Sequence, residues 1–484
     1  MRILFVAAEA TPFAKVGGLG DVVGALPWEL ARLEENADVR VVLPLHTGVD
    51  RRRWGLKPLA AFTVSHRNGP IIAQVYKTEY RGLPVYFISG APILAAPGIY
   101  SPDPHADAIK YAFFSLAALA LSRYLDWAPD VLHAHDWHTA LSVYALAHYR
   151  AHNPFFAKTR TIFTVHNLPY MGAPMPLLLE AFGLPPAGHE SGLPEWARSI
   201  PLPLGIAAAD VITTVSPTYA REIQTPAFGH GLEEFLRRRA QESRLLGILN
   251  GLDYEVWDPQ NDAALNVRYS AETLTLRPHN TAALRTEVGL PEPTQKHTPL
   301  LGVVSRLTYQ KGVDLIADTL RSIADRPWQA VLLGTGEPHL EAELRRLQAE
   351  FPERVRAILR YDDALARRIY AGADALLLPS RYEPCGLAQM IAMRYGAVPI
   401  AHETGGLADT VADYDIEPRS GTGFLFPRAE AKSLAFAIRR ASGVFACKNR
   451  WRAVQRRGMK RDFSWQTSAK QYLRLYKSLL RQSV

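Results

Sequence analysis

Short runs of hydrophobic, often β-branched residues alternate along the chain with segments of helical period. In the first half, the apolar runs predict strands at 3–7, 39–43, 85–88, 130–135, 161–165 and 210–215, and the clearest helices at 107–124 and 138–150. The second half predicts strands at 300–305, 330–333, 355–359, 375–379 and 398–401, with helices at 312–324, 337–350, 363–371 and 387–395. Because such alternation is typical of parallel α/β sheets, the pattern predicts two doubly wound, Rossmann-like domains.

One stretch between the two halves, 251–298, has no clear period and contains several prolines, among them Pro278, Pro291 and Pro293. This composition predicts a linker or an irregular excursion. The chain then divides into an N-terminal domain at 1–250, the linker at 251–298 and a C-terminal domain at 299–462. Ligands of doubly wound sheets bind outside the carboxyl ends of the strands. We therefore expect functional residues just after strands, facing an interdomain cleft.

Composition narrows the class of protein. The 484 residues are 48% hydrophobic and 21% charged, which excludes a disordered chain or a coiled-coil rod. Two cysteines, Cys385 and Cys447, exclude a disulfide scaffold and indicate a reducing cytosol. No apolar run reaches the ~18 residues of a membrane span, the N-terminal run is too short for a signal peptide, and the alanine-rich stretch 111–121 predicts a buried helix. We expect a soluble, cytoplasmic protein that does not bind membranes.

The net charge of +8 does little to change the expected class of protein. Basic residues concentrate at 51–53, 237–239 and 448–461, and such runs are usually solvated helix faces. A mild positive excess also suits anionic small substrates. Nucleic-acid binding would need a continuous basic stripe with interleaved aromatic residues, and none is evident, so we expect no nucleic-acid partner.

A glycine-rich loop, Lys15-Val16-Gly17-Gly18-Leu19-Gly20-Asp21, follows the first predicted strand. Glycines let a backbone approach a ligand closely, and exposed amides at a helix start bind phosphate or sugar oxygens. The spacing matches neither the dinucleotide fingerprint nor a phosphate-binding loop in which lysine follows the glycines. The alternative is a turn that only connects the strand to the helix. Lys15 and Asp21, which flank the glycines, favour a ligand-binding loop over this alternative.

Histidines follow two further strands. One strand ends within His133-Ala134-His135-Asp136-Trp137-His138, whose residue types suggest a metal site. We favour recognition of sugar hydroxyls by Asp136 and His138. A buried polar network without a ligand is the remaining alternative. His166 and Asn167 end the next strand and could hydrogen-bond a substrate or be structural.

Two motifs in the second half suit an anion. Arg306 and Lys311 flank the turn after the first strand and predict a diphosphate clamp, with an ordinary basic turn as the alternative. Glu383 comes before Cys385, Gly386 and Leu387, whose turn would expose amides to an anion pocket. A helix start lowers a thiol pKa, but no base neighbours Cys385 in sequence, so we do not expect it to be a nucleophile.

Together these motifs resemble those of the bacterial glycogen synthases and plant starch synthases, over residues 1 to about 465. The segments that carry the resemblance are KVGGLGDVVGALP at 15–27, HAHDWH at 133–138, FTVHNLPYMG at 163–172, GILNGLD at 247–253, VSRLTYQKG at 304–312, SRYEPCGL at 380–387 and ETGGLADTV at 403–411. The resemblance implies a retaining glucosyltransferase of the GT-B fold. It would transfer glucose from ADP-glucose to the non-reducing end of an α-1,4-glucan such as glycogen or a maltooligosaccharide, without a cofactor.

The resemblance also implies roles for particular residues. Those assigned to catalysis are His166, Arg306, Lys311 and Glu383. Those assigned to the donor are Lys15, Gly18, Asn167, Asn250, Tyr361, Cys385, Gly386 and Leu387. Asp21, Asp136 and His138 match cleft positions without an assigned role. The helix at 463–484 would cross back onto the N-terminal domain. Val16 replaces a common threonine, and Lys110-Tyr111 replaces an expected Arg-Phe pair.

The sequence leaves alternatives for both the mechanism and the substrates. Retaining glycosidases use two carboxylates, and no second one neighbours Glu383 in sequence, so front-face attack without a covalent intermediate and without a metal is our hypothesis. A related GT-B enzyme using UDP-glucose, or one forming maltose-1-phosphate, is the runner-up. A catalytically silent glucan-binding protein is disfavoured by the intact motif residues.

Overall fold

The computed structural model describes residues 1–96 and 98–481. It contains two compact units, Met1–Gly251 together with the C-terminal helix that begins at Trp465, and Leu252–Ser464. Each unit has its own sheet and its own buried core. The predicted α/β class is therefore confirmed.

The first unit is built on a nine-stranded sheet. Its strands are β1 (Arg2–Val6), β2 (Asp38–Pro44), β3 (Lys57–Val64), β4 (Ile71–Tyr80), β5 (Leu83–Ser89), β6 (Val131–His135), β7 (Arg160–Val165), β8 (Val211–Thr214) and β9 (Leu245–Gly247). Its helices are α1 (Gly18–Val23), α2 (Leu26–Leu33), α3 (Ala91–Ala95), α4 (Pro104–Tyr124), α5 (Ala140–Arg150), α6 (Pro176–Ala181), α7 (Pro201–Ala208), α8 (Pro217–Glu222) and α9 (Glu233–Gln241). The strand order is β3-β4-β5-β2-β1-β6-β7-β8-β9.

Only the hairpin edge of this sheet is antiparallel, since β4 pairs in that sense with β3 and with β5. The sequence pattern does not predict β3 and β4, because most side chains of β3 are exposed and buried positions alternate with partly or fully exposed ones along β4. The central strand β1 is buried between β2 and β6. The predicted buried helix at 111–121 is confirmed: it lies within α4, which begins where the Asp103 carboxylate accepts the His105 N–H.

The second unit has a six-stranded parallel sheet. Its strands are β10 (Leu300–Val304), β11 (Gln329–Leu333), β12 (Val355–Ile358), β13 (Ala375–Leu378), β14 (Val398–His402) and β15 (Phe424–Phe426). Its helices are α10 (Arg277–Val288), α11 (Val313–Ser322), α12 (Pro338–Glu350), α13 (Asp363–Gly372), α14 (Ala388–Arg394), α15 (Gly405–Thr410), α16 (Ala431–Phe445) and α17 (Lys448–Met459). The order β12-β11-β10-β13-β14-β15 is the Rossmann strand order.

Short 3-10 helices complete the secondary structure. They lie at Trp137–Thr139, Pro154–Phe156, His189–Ser191, Glu195–Ala197, Leu274–Leu276 and Tyr309–Lys311. In the described part of the chain, no helix is both long enough and apolar enough to cross a membrane.

The segment 251–298, predicted to be irregular, contains the helix α10 and forms part of the second unit. Pro278 lies in the first turn of α10, where proline is tolerated because its missing N–H has no helical partner. Gly289 ends the helix with φ +72°. The prolines of this segment mark a helix start as well as turns, which explains why the pattern misses the helix.

The C-terminal helix α18 (Trp465–Arg481) belongs to the first unit and packs against α2. The Lys477 Nζ donates to Glu34 Oε2 at 2.6 Å, and Tyr476 Oη lies 2.7 Å from His133 Nδ1 on β6. One face of α18, including Tyr472, Tyr476 and Leu479, is buried. The helix α18 thus covers part of the buried core next to β6.

Candidate functional site

Three neighbouring strands of the first unit, β1, β6 and β7, end at one edge of the sheet. Asp136 follows β6 directly and His166 follows β7 directly. Because ligands of parallel sheets bind outside the carboxyl ends of strands, this edge is where the sequence predicts the site. His138 and Asn167 extend from the same two strand ends.

A residue that the sequence analysis missed, Glu9, organises this edge. It follows β1, is almost fully buried, and accepts the backbone N–H groups of Val16 at 2.5 Å and Gly17 at 2.9 Å. The Tyr100 hydroxyl donates to its other oxygen. Burial and then the Glu9 charge raise the pKa of Tyr100, which keeps that hydroxyl protonated and donating. A carboxylate within the apolar run after β1 was the available signal.

Replacing Glu9 by alanine is expected to lower the free energy of unfolding by about 2 kcal/mol, since a hydrogen bond to a charged group contributes about 1.5–3 kcal/mol to stability. Tyr100→Phe removes one of the same hydrogen bonds and should cost about 1 kcal/mol. Urea unfolding of the variants and the parent chain measures both effects. An unchanged midpoint for Glu9→Ala would contradict the role given to this carboxylate.

The glycine-rich loop leaves open space in front of its backbone. A Cβ built at Gly17 or Gly18 would meet no described atom within 4 Å, whereas one at Gly20 would lie 3.2 Å from Glu9 Oε2. Packing therefore explains Gly20 but not Gly17 and Gly18, where the absence of a side chain suits close approach of a ligand. Lys15 stands beside this space, with its Nζ 2.6 Å from Asp21 Oδ1.

The histidines form a buried hydrogen-bonded group. The rings of His133 and His135 stack with centroids 4.2 Å apart, and His135 Nδ1 lies 3.1 Å from His166 Nε2. His133 Nε2 is 2.6 Å from Thr164 Oγ1. Burial lowers the pKa of His166 to about 3, so its ring is neutral at physiological pH. In the described chain, no three or more His, Cys, Asp or Glu residues are grouped to hold a metal ion.

Asp136 has a strained backbone, with φ +57°, which non-glycine residues rarely adopt. Its Oδ1 accepts the His166 N–H at 2.7 Å, which joins the ends of β6 and β7. Burial raises the pKa of this carboxyl to about 7, despite the hydrogen bonds from the His166 and Asn167 backbones. Strain and a raised carboxyl pKa are both common at functional sites.

Several polar atoms of the predicted site residues are buried without a hydrogen-bond partner among the described residues. They are His138 Nδ1, Asn167 Oδ1 and Asn250 Oδ1. Buried polar groups in native proteins are nearly always paired, and an exception calls for an explanation such as a missing ligand. Hydroxyl groups can both donate and accept, so a sugar would satisfy these atoms.

In the second unit, the structure brings together Lys311 and Glu383, which are 72 residues apart in sequence. The Lys311 ammonium donates to Glu383 Oε2, and the Ser380 hydroxyl donates to the same oxygen at 2.9 Å. Lys311 ends the 3-10 helix after β10, and Gly312, with φ +65°, turns the chain into α11. A carboxylate and an ammonium are thereby fixed at the carboxyl edge of this sheet.

Arg306 lies on the same loop as Lys311. Its side chain is exposed and has no hydrogen-bond or ion-pair partner within residues 1–96 and 98–481. Nearby, the Thr308 Oγ1 is buried without a hydrogen-bond partner in that part of the chain. An unpaired guanidinium and an unpaired hydroxyl on the same loop suit an oxyanion.

The loops at 383–387 and 403–406 touch backbone to backbone. The Gly406 N–H donates to the Glu383 carbonyl at 2.9 Å, and a Cβ at Gly405 would lie 2.0 Å from that oxygen. Glycine is therefore required where this second loop supports Glu383. Cys385 is buried and is not in a disulfide, and Gly386 has φ +72°. The helix that follows, α14, is shorter than predicted, beginning at Ala388 with Leu387 as its N-cap.

Tyr361 follows β12 and is 85% exposed, so its ring is available for stacking. Gln389, which the sequence analysis did not single out, holds the turn at 385–386: its Nε2 donates to the Cys385 carbonyl at 2.9 Å and the Gly386 carbonyl at 3.0 Å. Its signal in the sequence was only its place two residues after the motif.

Two Rossmann-like units in one chain, the first with a glycine-rich loop and polar side chains at the carboxyl edge of its sheet, are the architecture of the GT-B glycosyltransferases. A sequence model described as "Starch synthase catalytic domain" matches residues 2–238, and one described as "Glycosyl transferases group 1" matches residues 291–442. The chain belongs to the glycogen and starch synthase family.

The relatives are similar over their full length. The glycogen synthase of Anaeromyxobacter dehalogenans (strain 2CP-C) is 44% identical, with 99% of this chain and 100% of that protein aligned. The glycogen synthase of Thermotoga maritima is 41% identical, with 99% of each covered. Among solved structures, the catalytic domain of starch synthase IV from Arabidopsis thaliana, bound to ADP and acarbose, matches with a TM-score of 0.87 at 34% identity, covering 99% of each chain.

Proposed function

We propose that this glycosyltransferase moves glucose from ADP-glucose to the non-reducing end of an α-1,4-glucan, with retention of configuration and release of ADP. The observation that carries the proposal is the family relationship over 99% of the chain, at up to 44% identity to glycogen synthases. ADP as the leaving nucleotide is supported by the related Arabidopsis domain, which binds ADP. We also propose a cytoplasmic location, which suits two cysteines that are not joined by a disulfide.

The loop that carries Arg306 and Lys311 is proposed to hold the diphosphate of the donor. Negative charge grows on the phosphate as the bond to the anomeric carbon breaks, and fixed cations that meet this charge are worth about 2.7–4 kcal/mol per donor in comparable sites. Arg306 has no partner to release within the described chain, and Lys311 is held in place by Glu383. Cys385, Gly386 and Leu387 would line the same donor pocket.

Glu383 is proposed to orient the glucosyl group and to stabilise its positive charge. Its Oε2 already accepts hydrogen bonds from Lys311 and Ser380, which disfavours nucleophilic attack. In the proposed front-face reaction, the acceptor hydroxyl oxygen bonds to the anomeric carbon while the phosphate leaves and takes the hydroxyl proton. Isolation of a glucosyl-Glu383 ester would contradict this mechanism.

The edge formed by β1, β6 and β7 is proposed to bind sugar hydroxyls. His166, Asn167 and Asn250 would contact them, with Asn167 Oδ1 and Asn250 Oδ1 gaining the partners they lack. Lys15 and Gly18 would approach the donor, since the space before Gly17 and Gly18 is open. We assign to the same site the three cleft residues without a specific role, Asp21, Asp136 and His138. Asp21 is connected to it by its ion pair with Lys15.

Tyr361→Ala should raise the KM for ADP-glucose about 10-fold, because stacking of a base on an aromatic ring contributes about 1–3 kcal/mol. The ring is exposed, so folding should be unaffected. Initial rates at varied donor concentration measure the effect. Tyr124→Ala, at an exposed tyrosine of the first unit, is the control. Equal KM values for the two variants would remove Tyr361 from the donor site.

Donor and acceptor are tested together by offering labelled ADP-glucose and UDP-glucose separately, each with glycogen and with glucose-1-phosphate, in EDTA. The proposal predicts label in glycogen from ADP-glucose, and no loss of rate in EDTA because fixed cations hold the diphosphate. Faster transfer from UDP-glucose, or label in maltose-1-phosphate, would favour the corresponding related GT-B activity.

A further inference from the structure

A cavity of about 410 Å³ lies within the second unit, among α10, the loop at 293–298 and the start of α17. Its size is within the range of small-molecule sites, about 300–1,000 Å³. Thr298 and Asp374, which line it, come just before β10 and β13. The cavity is therefore at the amino edge of the parallel sheet, opposite the carboxyl edge that carries Arg306, Lys311 and Glu383.

The lining of this cavity is strongly cationic. Its basic side chains are Arg277, Arg285, Lys296, His297, Lys448 and Arg452. Its one carboxylate is Asp374, which already accepts the Leu300 N–H at 2.8 Å. The described chain therefore leaves this space with an excess of positive charge.

Of the five lysine and arginine side chains, two have structural partners among the described residues and three do not. Arg277 donates to the backbone carbonyls of Tyr370, Ala373 and Tyr395, and Arg285 donates to Gln329 Oε1 at 2.8 Å. In contrast, Lys296, Lys448 and Arg452 have no hydrogen-bond or ion-pair partner in residues 1–96 and 98–481. Like charges gathered without a counter-ion repel each other, so an anion would relieve this repulsion.

The N-terminus of helix α17 adds to this excess of positive charge. It has 12 residues and begins at Lys448, without an acidic residue in its first turn and without a side-chain cap from Cys447. Anions stabilise a helix N-terminus and cations oppose it. The basic run at 448–461, which the transferase proposal does not use, thus places positive charge where the helix favours negative charge.

Trp451 also lines the cavity, and its side chain contains a buried donor without a hydrogen-bond partner among the described residues. Trp451 is 4% exposed, and its indole Nε1 has no hydrogen-bond partner in the described chain. Its ring packs on Phe424, with stacked centroids 6.3 Å apart, and on the edge of Phe445, at 5.2 Å. Buried N–H groups are rarely left unpaired, and an oxygen atom of a ligand would accept this one.

We propose that this cavity binds a small organic molecule that carries phosphate. The phosphate oxygens meet Lys448, Arg452 and the free N–H groups at the start of α17, and one oxygen accepts the Trp451 N–H. The rest of the molecule lies against Phe445 and Pro278, which also line the space. This ligand is additional to the nucleotide sugar, whose proposed diphosphate site is at the other edge of the sheet.

Pyrophosphate is the probe for the phosphate part, titrated into the full chain by calorimetry. Lys448→Gln and Arg452→Gln should each weaken binding at this site about 10-fold or more. Arg450→Gln removes the same charge from an exposed position of α17 that does not line the cavity, and should leave binding unchanged. Lys311→Ala should also leave it unchanged, which separates this site from the donor clamp.

The Trp451 indole N–H reports occupancy directly. Its ¹H–¹⁵N signal, assigned by its loss in Trp451→Phe, should move when pyrophosphate is added to the parent chain and not when it is added to Arg452→Gln. Equal weakening by Lys448→Gln, Arg452→Gln and Arg450→Gln would mean nonspecific ionic binding and would overturn the proposal, as would an unmoved Trp451 signal. Neither result depends on the transfer activity.

Discussion

Replacing Lys311 by alanine is expected to lower kcat/KM for glucosyl transfer by about 10²–10³-fold, the loss that follows removal of one donor to a developing oxyanion. Lys311 is fixed by its ion pair with Glu383, so its charge needs no reorganisation when the phosphate leaves. The variant should fold, because Lys311 is partly exposed and Ser380 still donates to Glu383. Steady-state transfer rates and far-UV circular dichroism measure the two expectations.

Two further variants separate charge from fold in this experiment. Lys432→Ala removes an exposed lysine of α16 and should leave kcat/KM unchanged. Lys311→Arg keeps the charge but changes its geometry, and should restore part of the rate. Activity of Lys311→Ala within threefold of the parent would remove Lys311 from the clamp, and an unfolded Lys311→Ala would assign it a structural role instead.

Acidification below pH 6.5 is expected to destabilise the first unit strongly. Burial lowers the pKa of His46 to about 4 and that of His166 to about 3, while unfolded histidine titrates near 6.5. Between these values the unfolded chain binds more protons than the folded one, so stability falls as the pH falls. Each such histidine contributes about 1.4 kcal/mol per pH unit.

Other buried groups modify this slope. Burial also places the pKa values of His133, His135 and His138 well below the ordinary value, which adds in the same direction. Asp136 acts oppositely, since its pKa of about 7 makes the folded state bind the extra proton between about pH 4 and 7. The histidines outnumber it, so the net effect of acid is a loss of stability.

Urea unfolding at pH 7.5, 6.5, 5.5 and 4.5 measures this dependence. The free energy of unfolding should fall at each step below pH 6.5, and His46→Gln should make the fall shallower. His105→Gln, at an exposed histidine of the same unit, should not change the slope. A constant free energy of unfolding from pH 6.5 to 4.5 would show that these histidines are not buried in the neutral form.

The amino-acid sequence predicts those parts of the structure that depend on local pattern. The strands that carry the site, β6 and β7, lie within one residue of the predicted bounds, because buried parallel strands are nearly uninterrupted apolar runs. The hairpin of β3 and β4 and the helix α10 were not predicted, since β3 has mostly exposed residues and α10 has a proline in its first turn.

The contacts within the site join residues that are distant in sequence, so local sequence patterns do not predict them. Glu9 contacts Tyr100 across 91 residues, and neither residue belongs to a motif. Lys311 contacts Glu383 across 72 residues, so here the motifs contain both partners but do not indicate their pairing. The need for glycine at 405 appears only when its backbone is seen against the Glu383 carbonyl. Residue types and the ends of strands could thus be predicted from the sequence. The contacts that position the site residues become visible only in the folded structure.

The most direct test of the proposed activity is the incorporation of labelled glucose from ADP-glucose into glycogen by the purified chain in EDTA, followed by digestion with an exo-enzyme specific for α-1,4 bonds. The proposal predicts labelled polymer, one ADP released for each glucose incorporated, and complete release of the label by the digestion. Release of ADP without labelled polymer, or label resistant to the α-1,4-specific enzyme, would contradict it.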